Sequence, residues 1–273
     1  MDPLDAITTS ILNAAGRGEL LDPAALTLLV RQYAATGRAD LGEVIGRALA
    51  ESFTTAAAEP TVAVRAAWLI LFAEAQRVSD DERLQGATLD LIAGFRRGWP
   101  SSTIVADALL SVDACLRAAG VADVHGLVAA AIDELEHVVG LAYRPGEGVA
   151  HAVGGSVRVP GSPADQVRAA STLLTAFDAT GRLPYSMLAE ELIQGLPRGW
   201  SSGSDLALDC ESARVLCRLS ALHGDAGYLA AAVVAADANY RRDAERLLSD
   251  LESEAVARGA GAAPYGLALL ELR

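Results

Sequence analysis

Three ionisable side chains in the second half of the chain could together perform acid–base chemistry. His151 lies in an apolar segment, Asp165 follows Pro163 where a helix is expected to start, and Glu211 lies in "LDCESARVL". Cleavage of a glycosidic bond needs a proton donor and a second group that acts as base or nucleophile. We therefore interpret His151, Asp165 and Glu211 as candidate catalytic residues. Asp165 can instead be a charge that caps its helix, because it is the third residue.

Aromatic and polar residues near the same predicted helix ends form a candidate ligand site. Aromatic faces beside guanidinium and amide groups fit a polar ligand such as a sugar. Several have an alternative structural role: Trp99 and Trp200 can fill corners between helices, Trp68 can lie in the core, and Arg198 can interact with a helix C-terminus. The candidate ligand-binding residues are Trp68, Trp99, Tyr143, Arg144, Gln166, Arg198 and Trp200.

The composition and motifs of the sequence exclude several kinds of catalytic site. The sequence contains no lysine, so all 22 basic residues are arginine. Schiff-base chemistry and a P-loop lysine are therefore excluded. Glu134 and His137 form a single E-x-x-H pair, whereas a dimetal bundle needs two such pairs. Since no zinc signature or phosphate-binding glycine loop occurs either, we predict neither a metal nor a cofactor.

Charge and hydropathy indicate the expected partners and location. A formal net charge of −13 argues against nucleic-acid binding, which needs a basic face. The sequence shows no signal peptide and no apolar run long enough to span a membrane, and Cys115, Cys210 and Cys217 are too scattered for a disulfide framework. We expect a cytoplasmic protein whose partner is a small polar molecule or a sugar. Nothing in the sequence indicates an oligomeric state.

The spacing of apolar residues predicts helices along nearly the whole chain, interrupted by Gly, Pro and Ser. Cap-then-proline pairs mark helix starts at Asp22 and Ser162. Glycines mark the expected helix ends at positions 37, 120, 181 and 224. The predicted helices cover 3–16, 23–36, 39–57, 61–77, 80–96, 102–119, 122–138, 163–180, 184–195, 204–223, 226–236, 238–257 and 262–272.

A repeated motif indicates how these helices are arranged. "LIAGFRRGW" and "LIQGLPRGW" share Leu, Ile, Gly, Arg, Gly and Trp at a constant offset of 101 residues, from Leu91 to Leu192. Links within helix pairs are short, whereas the links between pairs at 97–101, 139–162 and 196–203 are longer. In a ring of hairpins all links of one kind lie at one end. Trp99 and Trp200 are therefore predicted to occupy equivalent corners at the long-link end, with the first helix of each pair inside.

The longest link carries the one expected non-helical element. "VAHAV" and "SVRVP" flank Gly154-Gly155 and predict a short β-hairpin insert near 141–160. We predict an all-α fold in which helical hairpins close into an (α/α) barrel, as a single domain over residues 1–273. An open solenoid of the same hairpins is the alternative.

Part of the sequence resembles a known family. "GEGVAHAVGGSVRVPGSPADQVRAASTLLTAFDATGRLPYSMLAEELI", from 146 to 193, resembles the large thioredoxin-domain-containing proteins of the spermatogenesis-associated type, as do "DCESARVLCRLSALHGDAGYLAAA" and "NYRRDAERLLSDL". The resemblance covers roughly residues 100–273, and this chain has no thioredoxin domain. It implies an (α/α) barrel of the six-hairpin type, akin to N-acylglucosamine 2-epimerases and many glycosidases.

Three functions are consistent with these features. The first is a stand-alone barrel that binds a carbohydrate-like ligand or a partner at the long-link mouth without catalysis. The alternative is a carbohydrate-active enzyme, similar to a sugar epimerase or isomerase or to a glycosidase. The second alternative is a helical-repeat scaffold for protein interactions. A central pocket into which His151, Asp165 and Glu211 point would favour the enzyme.

Overall fold

A computed structural model describes residues 2–99, 103–154, 157–197, 200–233, 235 and 237–273 of the chain. The α-helices within them are Pro3–Gly16 (α1), Pro23–Thr36 (α2), Ala39–Ala58 (α3), Val62–Ala75 (α4), Glu82–Gly98 (α5), Val105–Ala118 (α6), Leu127–Ala142 (α7), Pro163–Thr180 (α8), Leu183–Gln194 (α9), Leu206–His223 (α10), Ala226–Ala231 (α11), Tyr240–Arg258 (α12) and Ala263–Leu272 (α13). No helix in these ranges is both long and apolar enough to cross a membrane.

Most helices begin and end within three residues of the predicted positions. The first exception is α7, which starts at Leu127 rather than 122 because Gly126 precedes it with a left-handed φ of 71°. The second is α11, which ends at Ala231, well short of 236. Of the four glycines predicted to end helices, Gly37 and Gly181 have left-handed φ values of 65° and 68°. Gly120 and Gly224 do not, so these two turns need no glycine for backbone reasons.

The helices form a closed double ring. The inner helices α2, α4, α6, α8, α10 and α13 each pack against the next, and α13 packs against α2. Helices α1, α3, α5, α7, α9 and α12 lie outside them. The all-α barrel is therefore confirmed, and the open-solenoid alternative is wrong. The first helix of each pair lies inside as predicted: α12 is the outer partner of α10, and the last inner helix, α13, packs against α1 of the outer ring, where the two ends of the chain close the ring.

Capping residues in the sequence mark where the inner helices start. Asp22 accepts a hydrogen bond from the backbone N–H of Ala25 at 2.7 Å, and Pro23 follows as the first residue of α2. Ser162 caps α8 in the same way, with Asp165 completing a capping box. Such caps satisfy backbone N–H groups that the helix leaves free. All of these starts lie at the long-link end, which is the mouth of the barrel.

Small apolar side chains fill the space between the two rings. Cys115, Cys210 and Cys217 are free and buried, and burial raises the pKa of the first two thiols to about 12 and that of the third to about 11. At neutral pH these thiols are therefore protonated and act as small apolar groups. Trp68 is also part of this layer, with its ring centroid 5.8 Å from that of Phe72.

The predicted insert consists of two small hairpins. Tyr143–Arg144 (β1) pairs with Gly148–Val149 (β2), and Ala152–Gly154 (β3) pairs with Val157–Val159 (β4), both antiparallel. The second hairpin was predicted, although Gly155 lies outside the described residues. The first hairpin turns at Pro145-Gly146, where Gly146 has a left-handed φ of 79°. Both hairpins cover the mouth beside α8.

Candidate functional site

His151 and Asp165 meet at the mouth of the barrel. The Nδ1 atom of exposed His151 lies 3.1 Å from Oδ1 of Asp165. The other carboxylate oxygen accepts hydrogen bonds from the backbone N–H and the hydroxyl of Ser162 at 2.8 and 2.7 Å. Burial acts to raise the pKa of Asp165, but these hydrogen bonds outweigh it and hold the pKa below its usual range. Asp165 is thus an ionised cap that orients His151 through Nδ1 and leaves Nε2 facing solvent.

Gln166 anchors the hairpins to α8. Its amide oxygen accepts from the Val149 backbone N–H at 2.8 Å, and its amide nitrogen donates to the Val149 carbonyl at 2.9 Å. The neighbouring glycines make room for this arrangement, since a Cβ at Gly161 would lie 1.8 Å from the Val149 carbonyl oxygen. Gln166 is buried and both ends of its amide are hydrogen-bonded to the Val149 backbone, so it holds the first hairpin in place and is not free to bind a ligand.

The other predicted ligand-binding residues are dispersed. Trp68 is buried in the layer between the rings. Tyr143 donates a hydrogen bond to Glu191 at 2.6 Å, and exposed Arg144 lies 3.9 Å from Glu147. Arg198 lies outside the described residues. These side chains therefore do not converge on one ligand.

Trp99 and Trp200 occupy equivalent corners, as predicted. Trp99 ends α5 and Trp200 precedes α10, both in links at the mouth end of the ring. Trp99 is only 8% exposed, and its indole N–H donates to the Ser111 hydroxyl of α6 at 2.8 Å. Trp200 is half-buried and lines a groove on the outer wall.

Glu211 and Arg168 form a second potential site inside the ring. Glu211 is the sixth residue of α10, and Arg168 is the sixth residue of α8, so each lies about 7.5 Å below the start of its helix. The charge that acts most strongly on the carboxyl of Glu211 is that of Arg214 on the same helix, followed by those of Asp113 on α6, Arg168 on α8 and Arg117 on α6. Because α6, α8 and α10 are consecutive in the ring, these groups share the interior below the mouth. Within the described residues, neither Glu211 nor Arg168 has a side-chain hydrogen bond or a close ion-pair partner.

Deeper in the ring, the other charged groups are paired. Arg117 donates to Asp113 Oδ2 at 2.7 Å. Glu271 Oε1 accepts from Arg31 at 3.1 Å and from Arg214 at 2.6 Å. Asp113 Oδ1 and Glu271 Oε2 are buried without a partner among the described atoms. The interior therefore presents carboxylate acceptors as well as guanidinium donors.

The environments of Glu211 and Asp113 displace their pKa values in opposite directions. Burial, reinforced by the negative charge of Asp113, raises the pKa of Glu211, although nearby arginines partly oppose the shift. Burial also acts to raise the pKa of Asp113, but the adjacent guanidinium of Arg117 outweighs it and lowers the pKa. Because the pKa of one carboxyl is raised and that of the other is lowered, at one pH Glu211 can be a proton donor while Asp113 is ionised.

Of these interior residues, only Glu211 was predicted from the sequence to be functional. The others lie on different inner helices, so no local motif joins them. The signal that could have found them is a charge within an otherwise apolar helix, as in "LTLLVRQYAA" for Arg31, "LLSVDACLRA" for Asp113 and Arg117, and "LALLELR" for Glu271. A charge at such a position must face either a partner or water inside the ring.

No group of three or more His, Cys, Asp or Glu side chains in the described ranges could hold a metal ion. Glu134 and His137 instead line a small cavity beside Trp99. Burial raises the pKa of Glu134.

Comparison with known proteins identifies the fold. No protein-family model matches the chain, and no curated protein matches it. Among solved structures, the unsaturated glucuronyl hydrolase of Bacillus sp. GL1, responsible for the degradation of glycosaminoglycan, is similar over 98% of this chain and 95% of its own, with a TM-score of 0.73 and 14% identity. An unsaturated glucuronyl hydrolase specific for heparin covers 99% and 95%, with a TM-score of 0.71 and 12% identity.

A second type of hydrolase has the same architecture. An inactive variant of an alpha-1,6-mannanase of Salegentibacter sp. HEL1_6, in complex with alpha-1,6-mannotetrose, covers 100% of this chain and 98% of its own, with a TM-score of 0.66 and 11% identity. The chain therefore has the six-hairpin (α/α)-barrel fold of these hydrolases. These likenesses show the fold, and they do not support the predicted resemblance to the thioredoxin-domain-containing type.

Proposed function

We propose that this protein is a carbohydrate-active enzyme that hydrolyses a glycosidic bond of an acidic sugar inside the mouth of the barrel. The observation that carries the proposal is the pair formed by Glu211 and Arg168. The two lie at the same depth on adjacent inner helices, and neither has a partner among the described residues. The structural neighbours named as hydrolases of glucuronyl and mannan substrates support a carbohydrate role over non-catalytic binding.

Glu211 is the proposed proton donor. Its raised pKa keeps the carboxyl protonated to higher pH than an ordinary glutamic acid, whose pKa is about 4.3. The proton passes to the glycosidic oxygen, the bond from that oxygen to C1 of the sugar breaks, and the freed alcohol leaves. Water supplies the hydroxyl that C1 gains, and its remaining proton returns to the Glu211 carboxylate, which restores the acid. Asp113 acts as a positioning residue, since its negative charge helps to keep the proton on Glu211.

Arg168 is the proposed anchor for the acidic group of the substrate. A guanidinium can donate two parallel hydrogen bonds to a carboxylate, which fixes the sugar ring as well as binding it. Other inner-helix arginines are already occupied: Arg117 by Asp113, Arg31 and Arg214 by Glu271, and Arg218 by Asp178. His151, oriented by Asp165, is placed to bind a hydroxyl at the rim rather than to carry the reaction.

Glu211→Gln tests the proton donor. Activity is measured on 4-nitrophenyl β-D-glucuronide and on a heparin-derived unsaturated disaccharide, with α-1,6-mannotriose as the neutral comparison. We expect kcat/KM on an acidic substrate to fall by about 100-fold or more, the usual contribution of general acid catalysis, while calorimetric binding is retained. In the wild type, kcat/KM should decline as pH rises through the pKa of Glu211, because only the protonated form is active.

Controls separate chemistry from folding and from binding. Glu245→Gln removes an exposed carboxyl on the outer helix α12 that pairs with Arg241, and it should leave activity unchanged. Arg168→Gln should raise KM by about 10-fold or more, because a charge-assisted hydrogen bond contributes roughly 1.5–3 kcal/mol. Unchanged turnover in Glu211→Gln would refute Glu211 as the proton donor. Binding of an acidic sugar without any turnover would instead favour the non-catalytic barrel.

A further inference from the structure

A groove on the outer wall of the ring is separate from the interior site. It lies between α9 and α12, with α10 as its floor, and encloses about 770 Å³. This volume is within the range of small-molecule sites. Its walls include Trp200, Ser212, Arg242, Asp243 and Asp250. Ser212 follows Glu211 in the sequence but faces this groove, so α10 separates the two regions.

The repeated motif places this groove at the position equivalent to the corner of Trp99, where the space between the helices is nearly filled. Ser111 follows Trp99 by twelve residues, and Ser212 follows Trp200 by the same spacing. In the first corner the indole N–H donates to the serine hydroxyl, and the remaining cavity is about 40 Å³. In the second corner neither side chain forms a hydrogen bond to another described residue, and both border the groove.

We propose that this groove is a binding site for a neutral oligosaccharide, distinct from the site of the proposed hydrolysis. The half-buried indole of Trp200 offers a flat apolar face together with a free N–H donor. The apolar face of a sugar ring can lie on such a surface while its hydroxyls reach polar groups at the edge. This inference does not depend on the proposed reaction.

The polar groups around Trp200 can form hydrogen bonds with the hydroxyls of a neutral sugar, and they fit a charged or a purely apolar ligand less well. Ser212 and Arg242 can donate hydrogen bonds, and Arg242 has no ion-pair partner in the described part of the chain. Asp243 and Asp250 can accept them, although Asp243 also lies 3.6 Å from Arg246. With Asp237 the lining has three carboxylates and two guanidiniums. This balance disfavours a uronate, and the charged walls disfavour an apolar peptide helix.

Binding of defined sugars to the wild type and to Trp200→Ala tests the inference. The probes are α-1,6-mannotriose, cellotriose and maltotriose, titrated by calorimetry, with glucuronic acid as the acidic comparison. We expect at least one neutral probe to bind and its affinity to fall by about tenfold or more in Trp200→Ala, as is typical when a central aromatic contact is removed. Arg242→Gln and Ser212→Ala should each weaken binding by a smaller factor.

Two further measurements distinguish the groove from the interior. Glu211→Gln and Arg168→Gln should leave binding of the neutral probe unchanged, so failure of the proposed reaction would not affect this result. Binding should also shift the fluorescence of the wild type, since Trp68 and Trp99 are buried and Trp200 is the indole at the groove. Absence of binding by all three probes would overturn the inference. So would binding that survives Trp200→Ala but is lost in Glu211→Gln.

Discussion

The two corners that carry the repeated motif differ in what lies opposite the tryptophan. Trp99 is buried and its indole N–H is paired with Ser111, and α7 lines the small cavity beside it with Val138 and Leu141 as well as Glu134 and His137. At the other corner α12 presents Arg242, Asp243, Arg246 and Asp250, whose charges favour contact with water over burial. The repeat thus preserves the path of the chain at both corners, while the opposing helix decides whether the tryptophan becomes core or a binding surface.

Truncation of the two tryptophans should give the largest contrast between the corners. Trp99→Ala removes a buried ring and leaves Ser111 without its donor, so it should lower the free energy of unfolding by about 3–5 kcal/mol. Trp200→Ala should lower it by about 1 kcal/mol or less, because its side chain already borders an open groove. Chemical denaturation of both variants measures the difference. Equal losses would mean that the second corner is packed as tightly as the first.

Removal of the two serine hydroxyls gives a smaller and more specific contrast. Ser111→Ala leaves the buried indole N–H of Trp99 unpaired, which should cost about 1–3 kcal/mol. Ser212→Ala removes a hydroxyl that has no partner among the described residues, so its effect should stay within about 0.5 kcal/mol. The ratio of the two losses is read from denaturation midpoints at equal slope. A larger loss for Ser212→Ala would contradict the assignment of the two corners.

The sequence predicted the ring because its signals are local. Caps such as Asp22 and Ser162, and the different lengths of the two kinds of link, are visible in single stretches of chain. The start of α7 was misplaced because "AAGVADVHG" contains two glycines, Gly120 and Gly126, and only the second is left-handed. Which glycine has a positive φ depends on the path of the chain beyond the turn, and the residues around it do not indicate this.

The candidate site was less predictable because it depends on contacts between distant segments. Two of the three candidate catalytic residues, His151 and Asp165, do lie close together, because the longest link folds back over the start of α8. The charged residues that act on Glu211 from other helices were not expected, because Arg168 lies on α8 and Asp113 on α6. The sequence also did not predict that Trp99 is buried and Trp200 only half-buried, since both residues occur in the same motif.

The smallest expected difference in stability is between two glycines at the short-link end of the ring. The inner helices of the two corners, α6 and α10, end near Gly120 and Gly224, neither of which is left-handed, whereas α8 ends at Gly181 with a φ of 68°. Gly181→Ala should therefore cost about 1 kcal/mol, because a Cβ is strained in the left-handed region. Gly120→Ala is the matched control, since its Cβ would only contact Arg77 at 3.7 Å.

Gly120→Ala should be neutral or should stabilise the protein by about 0.4–1 kcal/mol, because alanine restricts the unfolded chain without straining the folded one. Thermal unfolding of the two variants under one set of conditions measures the sign of each effect. Destabilisation of both to the same extent would mean that glycine is needed for space at both turns. Opposite signs would show that the turn after α6, like the corner at its other end, is held by packing around it rather than by its own backbone.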